Sequence, residues 1–449
     1  MDLVIKAGKV FDPRWESFKE LNIGIKHGRI AALTEKDLSG NTVIDANGLI
    51  VSPGFIDIHS HSDKNFKVQE NNFETSEAGL RMGVTTLVGG NCGVSPLNFK
   101  EYKDYIDANG APNNYLGFMG HNTLRSAAGR TDWYSPANKQ EIEKIKEMLK
   151  ENMEEGAIGL SLGLEYTPGA DIEEVLEICE ALKDFHSPLI SAHYRYDADR
   201  GLEAVEEMID ISRLSGIPMQ ISHLNSGICF GNAEESIKVI HNAREEGINV
   251  MADCYPYNAF STYIGSAVFD PGFLERWEAK YEDLLIAEGE YAGQYCTEEL
   301  FYKLRKEDPG IYLIAFVMRE DETITVMKES FTMIATDGLV RNGQGHPRAS
   351  GTFPRVLGRY SREQKALTLK EALYKMTVMP ARRLNLRDRG IIEEGAFADI
   401  TIFDYNTEID LADFTNSSLA PEGIKYVIVN GKLAVFDGRI VNNRLGRIL

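Results

Sequence analysis

Short apolar runs alternate with helical stretches through most of this chain, and this alternation limits its possible folds more than any other feature. Candidate strands in the region cover residues 85–88, 158–161, 189–192, 219–222, 249–252 and 332–335. The segments between them carry helical periodicity and charge. Strands separated by helices indicate parallel βα units. Their number predicts an α/β protein whose residues 54–390 form a (β/α)8 TIM-like barrel.

Both ends of the chain show a different pattern, made of short strands joined by turns. Residues 1–53 contain several strand-like runs with little helical signal. Near the other end, the runs 424–429 and 432–436 flank Asn430-Gly431, a pair that favours a tight hairpin. We therefore expect residues 1–53 and 391–449 to pair into one small β-sandwich domain.

The charge balance and the cysteine content narrow the class of partner. The chain has 48 Lys and Arg against 68 Asp and Glu, a net charge of −20. This balance argues against nucleic acid or an anionic membrane surface as the main partner. No segment resembles a signal peptide or a membrane span, and five widely spaced cysteines do not indicate a disulfide framework. We expect a small-molecule substrate and a cytoplasmic location, and we leave homo-oligomerisation open.

Polar residues with metal-binding side chains follow five of the predicted strands. They are His59, His61, Cys92, His193, His223 and Asp337. The carboxyl ends of all strands in a barrel face one mouth, so we expect these residues to converge there. Four imidazoles, one thiolate and one carboxylate form a ligand set that suits Zn²⁺. Alternate residues of an extended segment point the same way, so His59 and His61 can reach one ion.

Each of these residues also has an ordinary structural interpretation. A single histidine at a strand end, such as His193 or His223, is more often a hydrogen-bonded structural residue than a ligand, and a lone cysteine is usually a small buried apolar residue. Thr336-Asp337-Gly338 would also suit a turn. Their joint occurrence after strands favours the metal site. Cys179 and Cys296, in contrast, fall in helix-like segments and are predicted to be packing residues.

Several longer motifs surround the candidate ligands. They are Gly163-Leu164-Glu165-Tyr166, Ala192-His193-Tyr194-Arg195, Ile221-Ser222-His223, Asp253-Cys254-Tyr255-Pro256-Tyr257, Gly90-Asn91-Cys92-Gly93, and the run from His346-Pro347-Arg348 to Pro354-Arg355. Together with His59-Ser60-His61, these motifs resemble the amidohydrolase superfamily, and within it the N-acyl-D-amino-acid deacylase (D-aminoacylase) family. The resemblance covers nearly the whole chain. The Cys92 motif and the His346 run are its most specific parts.

This resemblance implies a metal-dependent barrel with one tight zinc site and a second, weaker one. The tight site would be held by Cys92, His193 and His223. The weaker site would be lined by His59, His61 and Asp337 and would share Cys92 as a bridge. Many members of the superfamily use a carboxylated lysine as the bridge. Residues 160–166 contain no lysine, so Cys92 would take that place.

The implied chemistry follows from the metal and one carboxylate. Zinc lowers the pKa of a bound water from 15.7 to around 7, which gives hydroxide at neutral pH, and it polarises a carbonyl. Asp337 is the expected proton shuttle. It would take the proton from the attacking water as general base and return it to the leaving amine as general acid.

An N-acyl amino acid carries an α-carboxylate, so its site needs hydrogen-bond donors. The resemblance assigns this part of the site to Tyr166, Tyr255 and Ser261. Relatives commonly have a lysine where this chain has Asn225, and an amide cannot form the same ion pair with a carboxylate. We therefore expect Asn225 to lie at the substrate and the site to discriminate weakly between substrates. Arg195 and Arg348 are candidates to replace the missing positive charge.

The sequence thus predicts a zinc-dependent hydrolase that cleaves the amide bond of N-acyl-D-amino acids or of related N-acyl amino acids and dipeptides. Hydantoinase-like cyclic amidases and isoaspartyl-type dipeptidases use the same barrel and metals, and the fold alone does not exclude them. The Cys92 motif disfavours both. A non-catalytic scaffold with this fold is disfavoured because every candidate ligand is present.

Overall fold

The computed structural model describes residues 1–63 and 73–449. The strands β1–β23 cover, in order, Leu3–Val10, Lys19–Lys26, Arg29–Thr34, Thr42–Asp45, Ile50–Pro53, Phe55–Asp57, Val84–Gly89, Asn114–Gly117, Met119–Gly120, Gly159–Gly163, Leu189–His193, Met219–Ile221, Val250–Cys254, Phe260–Tyr263, Leu284–Ile286, Tyr312–Ala315, Thr332–Ile334, Val340–Arg341, Gln344–Gly345, Ile400–Phe403, Ile424–Val429, Lys432–Phe436 and Arg439–Ile440. The α-helices α1–α14 cover Glu74–Arg81, Phe99–Asn109, His121–Ala128, Lys139–Glu154, Ile172–Cys179, Gly201–Ser215, Leu224–Ile228, Ala233–Glu245, Phe273–Arg276, Glu298–Glu307, Glu320–Lys328, Arg348–Arg355, Leu369–Met376 and Val378–Arg383. A π-helix at Val356–Glu363 continues α12. No helix within the described ranges has the length and apolar content that a membrane crossing requires.

Parallel strands form a closed barrel. Their order is β6-β7-β8 and β9-β10-β11-β12-β13-β17, and every neighbouring pair is parallel. Only Phe118 separates β8 from β9, and its N–H donates to the Gly89 carbonyl at 3.1 Å, so these two strands act as one kinked strand. The barrel closes where Ser60 bridges Gly338 in parallel. The predicted (β/α)8 barrel is therefore confirmed.

Burial explains why the barrel strands and their helices form where they do. Strand β11 is buried along its whole length, as expected for a parallel strand covered on both faces. Helix α4 begins at a capping box made by Asn138 and Glu141. It then buries Ile142, Ile145 and Leu149, which share one face because they are three or four residues apart.

Both ends of the chain contribute to one nine-stranded sheet. Its order is β23-β22-β21-β20-β5-β1-β2-β3, with β4 beside β1. The central junction is an antiparallel pair between β5 from the N-terminal part and β20 from the C-terminal part. The sheet packs around its own apolar core, which includes Ile5, Ile23, Ile400 and Ile428. Hydrogen bonds connect all nine strands into one sheet, so the two-layered sandwich and the domain boundaries at 53 and 391 stay predictions.

A segment between β13 and β17 forms a small second sheet. Its strands have the antiparallel order β14-β16-β15. Helices α9 and α10 pack beside it through an aromatic cluster in which Phe273 stacks on Phe301, with ring centroids 5.2 Å apart, and meets Trp277 edge to face. We call residues 254–331 the insertion. The sequence patterns predicted strand β17 after it but not the sheet within it.

A buried polar network ties the terminal sheet to the barrel. Asp399 accepts hydrogen bonds from the Asn430 N–H at 2.6 Å and from Asn114 Nδ2 at 3.1 Å, and it also pairs with the Arg389 guanidinium. Asn430 Nδ2 donates to Asn114 Oδ1 at 2.7 Å, so the network reaches barrel strand β8. Asp399 and Arg389 are each only 3% exposed.

This network predicts a large loss of stability when Asp399 is removed. In Asp399→Ala the buried charge of Arg389 loses its partner, which costs about 3–5 kcal/mol in the free energy of unfolding. Urea denaturation followed by circular dichroism measures the change. Asp37→Ala is the matched control, because Asp37 pairs with Lys6 at the exposed surface and its loss should change stability little. Equal effects of the two substitutions would contradict this role of the network.

Candidate metal centre

Six buried side chains meet beyond the carboxyl ends of the barrel strands. Their candidate ligand atoms form two groups, and within each group all of these atoms lie within 4.8 Å of one another. The first group consists of Cys92, His193 and His223. The second consists of His59, His61, Cys92 and Asp337. The structure thus brings together every residue that the sequence nominated as a metal ligand, with Cys92 common to both groups.

The chemistry of the first group fits a zinc ion. Cys92 Sγ lies 3.4 Å from His223 Nε2, and His193 Nδ1 lies 3.0 Å from the same His223 nitrogen. All three residues are at most 5% exposed. A thiolate and two imidazoles are typical zinc ligands, and a cation between them would satisfy lone pairs that the interior otherwise leaves facing one another.

The second group offers a different mixture of ligand atoms. His61 Nε2 lies 3.0 Å from Asp337 Oδ1, and His59 Nε2 lies 3.4 Å from the same oxygen. Cys92 Sγ is 3.3 Å from His59 Nε2. Two imidazoles, a carboxylate and a shared thiolate also fit a divalent transition metal. Cys92 is therefore positioned to serve two adjacent ions.

Three of the candidate ligands have an unusual backbone conformation. Cys92, His223 and Asp337 have positive φ angles of 52°, 33° and 47°. Residues other than glycine rarely adopt this left-handed region, and such strain concentrates at functional sites. Gly90 precedes Cys92 in the same turn with a φ of 73°, and a Cβ there would lie 2.1 Å from the Phe118 carbonyl oxygen. The motif around Cys92 therefore requires glycine for its shape.

Three imidazoles have a polar partner on the nitrogen that faces away from the cluster. The pairs are His193 Nε2 with Glu165 Oε2 at 2.9 Å, His223 Nδ1 with Ser226 Oγ at 2.9 Å, and His59 Nδ1 with Asp253 Oδ1 at 3.4 Å. Such partners fix the tautomer and orientation of a ligating histidine. Sequence reasoning assigned no role to Glu165, Ser226 or Asp253. Glu165 and Asp253 could have been found from the sequence, because they belong to the motifs Gly163-Leu164-Glu165-Tyr166 and Asp253-Cys254-Tyr255-Pro256-Tyr257.

The cluster lies at the base of a cavity that opens at the barrel mouth. Among the predicted substrate contacts, Tyr166, Ser261 and Arg348 line this cavity. Arg348 is 5% exposed, and its Nη2 lies 2.8 Å from Asp337 Oδ2. Its Nε and Nη1 have no hydrogen-bond partner among the described residues. A buried guanidinium with unused donors at a cavity wall suits a carboxylate, which can accept a charge-assisted hydrogen bond from it.

Asp337 is held as a carboxylate by its surroundings. Burial acts to raise the pKa of its carboxyl group, but the positive charge of Arg348 and the hydrogen bond with His61 lower it by more, so the pKa falls below the ordinary value. Asp337 also lines the cavity. It is therefore ionised and placed where it can accept a proton from a group in the cavity.

Three other predicted substrate contacts do not line this cavity as the structure describes it. Arg195 forms an ion pair with Glu207 at 2.8 Å. Asn225 is fully buried, and its Nδ2 donates to the Tyr255 carbonyl at 3.1 Å. The Tyr255 ring lies 4.6 Å from the Arg348 guanidinium and supports it from behind. Asn225 Oδ1 has no hydrogen-bond partner among the described residues, and the substrate contacts of all three residues stay predictions.

The insertion supplies part of the cavity wall and contacts a hydrogen-bond partner of a candidate metal ligand. Its residues Phe260, Ser261, Thr262, Tyr263, Val268, Glu288 and Tyr312 line the cavity. Trp277 Nε1 donates to Asp197 Oδ2 at 2.8 Å. Arg276 Nη2 lies 3.6 Å from Glu165 Oε1, and Glu165 is the partner of His193. The insertion is thus in contact with the residues that orient a candidate ligand.

Comparisons with known proteins identify relatives of this chain. The Amidohydrolase family model matches residues 42–253 and 327–435. D-aminoacylase from Alcaligenes xylosoxydans xylosoxydans is 32% identical over 100% of this chain and 97% of its own. A D-aminoacylase structure that concerns its binuclear metal centre, with one-metal activation and second-metal attenuation, has a TM-score of 0.90 at 30% identity over 100% of this chain and 99% of its own. N-acyl-D-glutamate deacylase from Bordetella bronchiseptica, complexed with zinc and a phosphonate mimic of the tetrahedral intermediate, has a TM-score of 0.88 at 32% identity with the same coverage.

The shared position of Cys92 predicts that this thiol is required for metal binding. Cys92→Ala should lose most of the bound zinc and nearly all turnover, because both ligand groups lose a member. Metal analysis of the purified variant after dialysis measures the zinc content. Cys296→Ala is the control, because Cys296 is also buried but belongs to neither ligand group. This substitution should leave the zinc content unchanged. A full equivalent of zinc in Cys92→Ala would contradict the assignment.

Proposed function

The chain belongs to the amidohydrolase family, and we propose that it is a zinc-dependent hydrolase that cleaves the amide bond of N-acyl-D-amino acids. The observation that carries this proposal is the pair of ligand groups that share Cys92 at the base of a cavity lined by Arg348. Relatives at 30–32% identity, which include deacylases of N-acyl-D-amino acids, support the substrate class.

The proposal assigns the tight metal site and the reacting carboxylate to different residues. Cys92, His193 and His223 would hold a tight zinc ion, and His59, His61, Cys92 and Asp337 would form a second, weaker site. Zinc supplies Lewis acidity, which lowers the pKa of water and polarises a carbonyl. The second site is the weaker one in this proposal because Asp337 also pairs with Arg348, which competes for its charge.

Asp337 moves the proton. Its Oδ atoms face the cavity beside Arg348 and the imidazoles, so the ionised carboxylate accepts the proton of the attacking water. The same carboxyl group then donates that proton to the leaving nitrogen, which departs as a neutral amine. Arg348 keeps the group ionised before the first transfer, because its charge stabilises the carboxylate.

Arg348 also binds the substrate. One of its unpartnered groups, Nη1, would donate a charge-assisted hydrogen bond to the α-carboxylate of an N-acyl amino acid, while its Nη2 stays with Asp337. Ser261 and Tyr166 lie on the same cavity wall. In this proposal the carboxylate of the substrate would bind next to Asp337, and the scissile amide would lie over the ligand groups.

A cyclic amidase is the alternative function, since it would use the same barrel and metals. A substrate panel separates the two. We expect turnover of N-acyl-D-amino acids, slow or no turnover of their L-enantiomers, and none of hydantoins or dihydropyrimidines. Preferential opening of a ring substrate would favour the alternative.

Three expectations from the sequence are kept as proposals. They are a cytoplasmic location, the absence of a nucleic acid partner, and the option of a homo-oligomer. The acidic charge balance supports the second of these. Cell fractionation, a nucleic acid binding assay and light scattering would test them in turn.

The proton-transfer role predicts a specific defect in Asp337→Asn. The amide cannot accept a proton, so kcat should fall by roughly 10²-fold or more, the usual scale for a general acid or base. Zinc in the first ligand group should stay bound, because Asp337 does not belong to that group. Steady-state kinetics and metal analysis measure both quantities. Full recovery of activity upon addition of zinc would assign Asp337 to metal binding alone.

The carboxylate-binding role predicts a different defect in Arg348→Met. The loss of a charge-assisted hydrogen bond of about 1.5–3 kcal/mol lowers kcat/KM for an N-acyl-D-amino acid by roughly ten- to a hundredfold. The matched comparison is the α-amide of the same substrate, which lacks the charge. Wild-type enzyme should prefer the acid and Arg348→Met should not. Preserved preference for the acid would show that another group binds the carboxylate.

A further inference from the structure

We propose that a second groove beside the active-site cavity binds the acyl chain of the substrate, so that the enzyme favours N-acyl-D-amino acids with medium or long apolar acyl groups. This inference rests on the proposed function, because it concerns the acyl half of the same substrate. The groove is lined by Val94, Leu97, Ala127, Trp133, Tyr166 and Tyr263, together with the uncharged polar residues Asn122, Thr123 and Ser126. None of these lining residues is a candidate metal ligand.

The groove is continuous with the active-site cavity. Val94, Tyr166 and Tyr263 line both spaces. The Tyr166 ring stacks on the Tyr263 ring, with centroids 5.7 Å apart and an interplanar angle of 22°. The Tyr166 ring also lies beside the His193 ring, with centroids 4.6 Å apart. Tyr166 therefore connects a candidate metal ligand to the groove.

The two spaces differ in charge. The active-site cavity is lined by ionisable groups, which include Arg348, Asp337 and Glu165. None of the described residues that line the groove is Asp, Glu, Lys, Arg or His. A carboxylate in the groove would lose its hydration without a cation to replace it. An alkyl chain carries no such cost, so the charge difference assigns the two halves of the substrate to different spaces.

The orientation of the bound substrate follows from the residues that lie beside each of the two ligand groups. Arg348 lies beside Asp337, which belongs to the second ligand group. Tyr166 lies beside His193, which belongs to the first. When the α-carboxylate is at Arg348 and the scissile amide is over the cluster, the acyl group extends towards His193 and Tyr166. The groove begins there.

One exposed residue shows what the groove gains from an occupant. Leu97 is 47% exposed at the groove, although it is a large apolar side chain. Contact with an alkyl chain would remove apolar area from water on both sides. Full burial of one methylene is worth about 0.8 kcal/mol, which corresponds to a factor of about four. In an open groove we expect about a two- to fourfold gain in kcat/KM per methylene.

A series of acyl chain lengths tests this proposal. N-acetyl-, N-butanoyl-, N-hexanoyl- and N-octanoyl-D-alanine are compared by kcat/KM with the zinc-loaded enzyme. We expect the ratio of octanoyl to acetyl substrate to exceed about tenfold in wild type. In Leu97→Asp this ratio should fall by tenfold or more, because the new carboxylate opposes an alkyl chain in the groove. Leu214→Asp is the control, since Leu214 is 62% exposed on α6, away from both spaces, and it should keep the wild-type ratio.

The outcomes separate this proposal from the function on which it rests. Turnover of N-acetyl-D-alanine with a flat chain-length series would overturn the groove assignment and keep the deacylase. No turnover of any N-acyl-D-amino acid would overturn both. A second series with N-acetyl derivatives of D-alanine, D-leucine and D-phenylalanine tests the occupant. If Leu97→Asp changes this side-chain series and leaves the acyl series unchanged, the groove holds the amino acid side chain and the proposal is wrong.

Discussion

The close approach of electron-pair donors around the Cys92 sulfur is the constraint on which the rest of the structure depends. Two imidazole nitrogens lie within 3.4 Å of this atom, and further ligand atoms lie close by, all buried. Without a cation such a cluster is costly, because buried lone pairs and charges lack partners. With a divalent ion the same contacts become coordination bonds. The barrel therefore has to position the candidate ligand residues at its strand ends to within a few tenths of an ångström of their required places.

Several local features meet this requirement at an energetic cost. The left-handed backbone at Cys92, His223 and Asp337 turns these residues at the ends of three different strands. Elsewhere the barrel is locked by hydrogen bonds. Thr336 donates to Asp57 through its hydroxyl at 2.6 Å and its N–H at 3.0 Å, and so joins the end of β17 to the end of β6. Burial raises the pKa of Asp57 to about 7, and the Thr336 hydrogen bonds offset part of that rise. The lock fixes the His59 segment against Asp337.

The sequence was informative where chemistry and periodicity coincide. Polar residues that directly follow buried strands predicted all six members of the two ligand groups, because parallel strand ends converge in a barrel. The second layer was harder to predict. Ser226 contacts His223 only through the short helix α7, and Asn225 is turned into the wall by the same helix. Neither orientation follows from residue spacing along the chain, since it depends on how α7 packs against β13.

The insertion was the least predictable part, and its position separates two properties of the enzyme. The family model matches residues 42–253 and 327–435, so it leaves most of the insertion out. All six candidate ligands lie in the matched part, whereas Ser261, Thr262, Tyr263, Glu288 and Tyr312 of the cavity wall lie in the unmatched part. The candidate ligands therefore lie on the common barrel, whereas the cavity wall combines residues of the barrel and of the insertion. The two are not independent, because Trp277 and Arg276 contact Asp197 and Glu165 behind His193. Changes near Arg276 would therefore also alter the surroundings of Glu165, the hydrogen-bond partner of the candidate ligand His193.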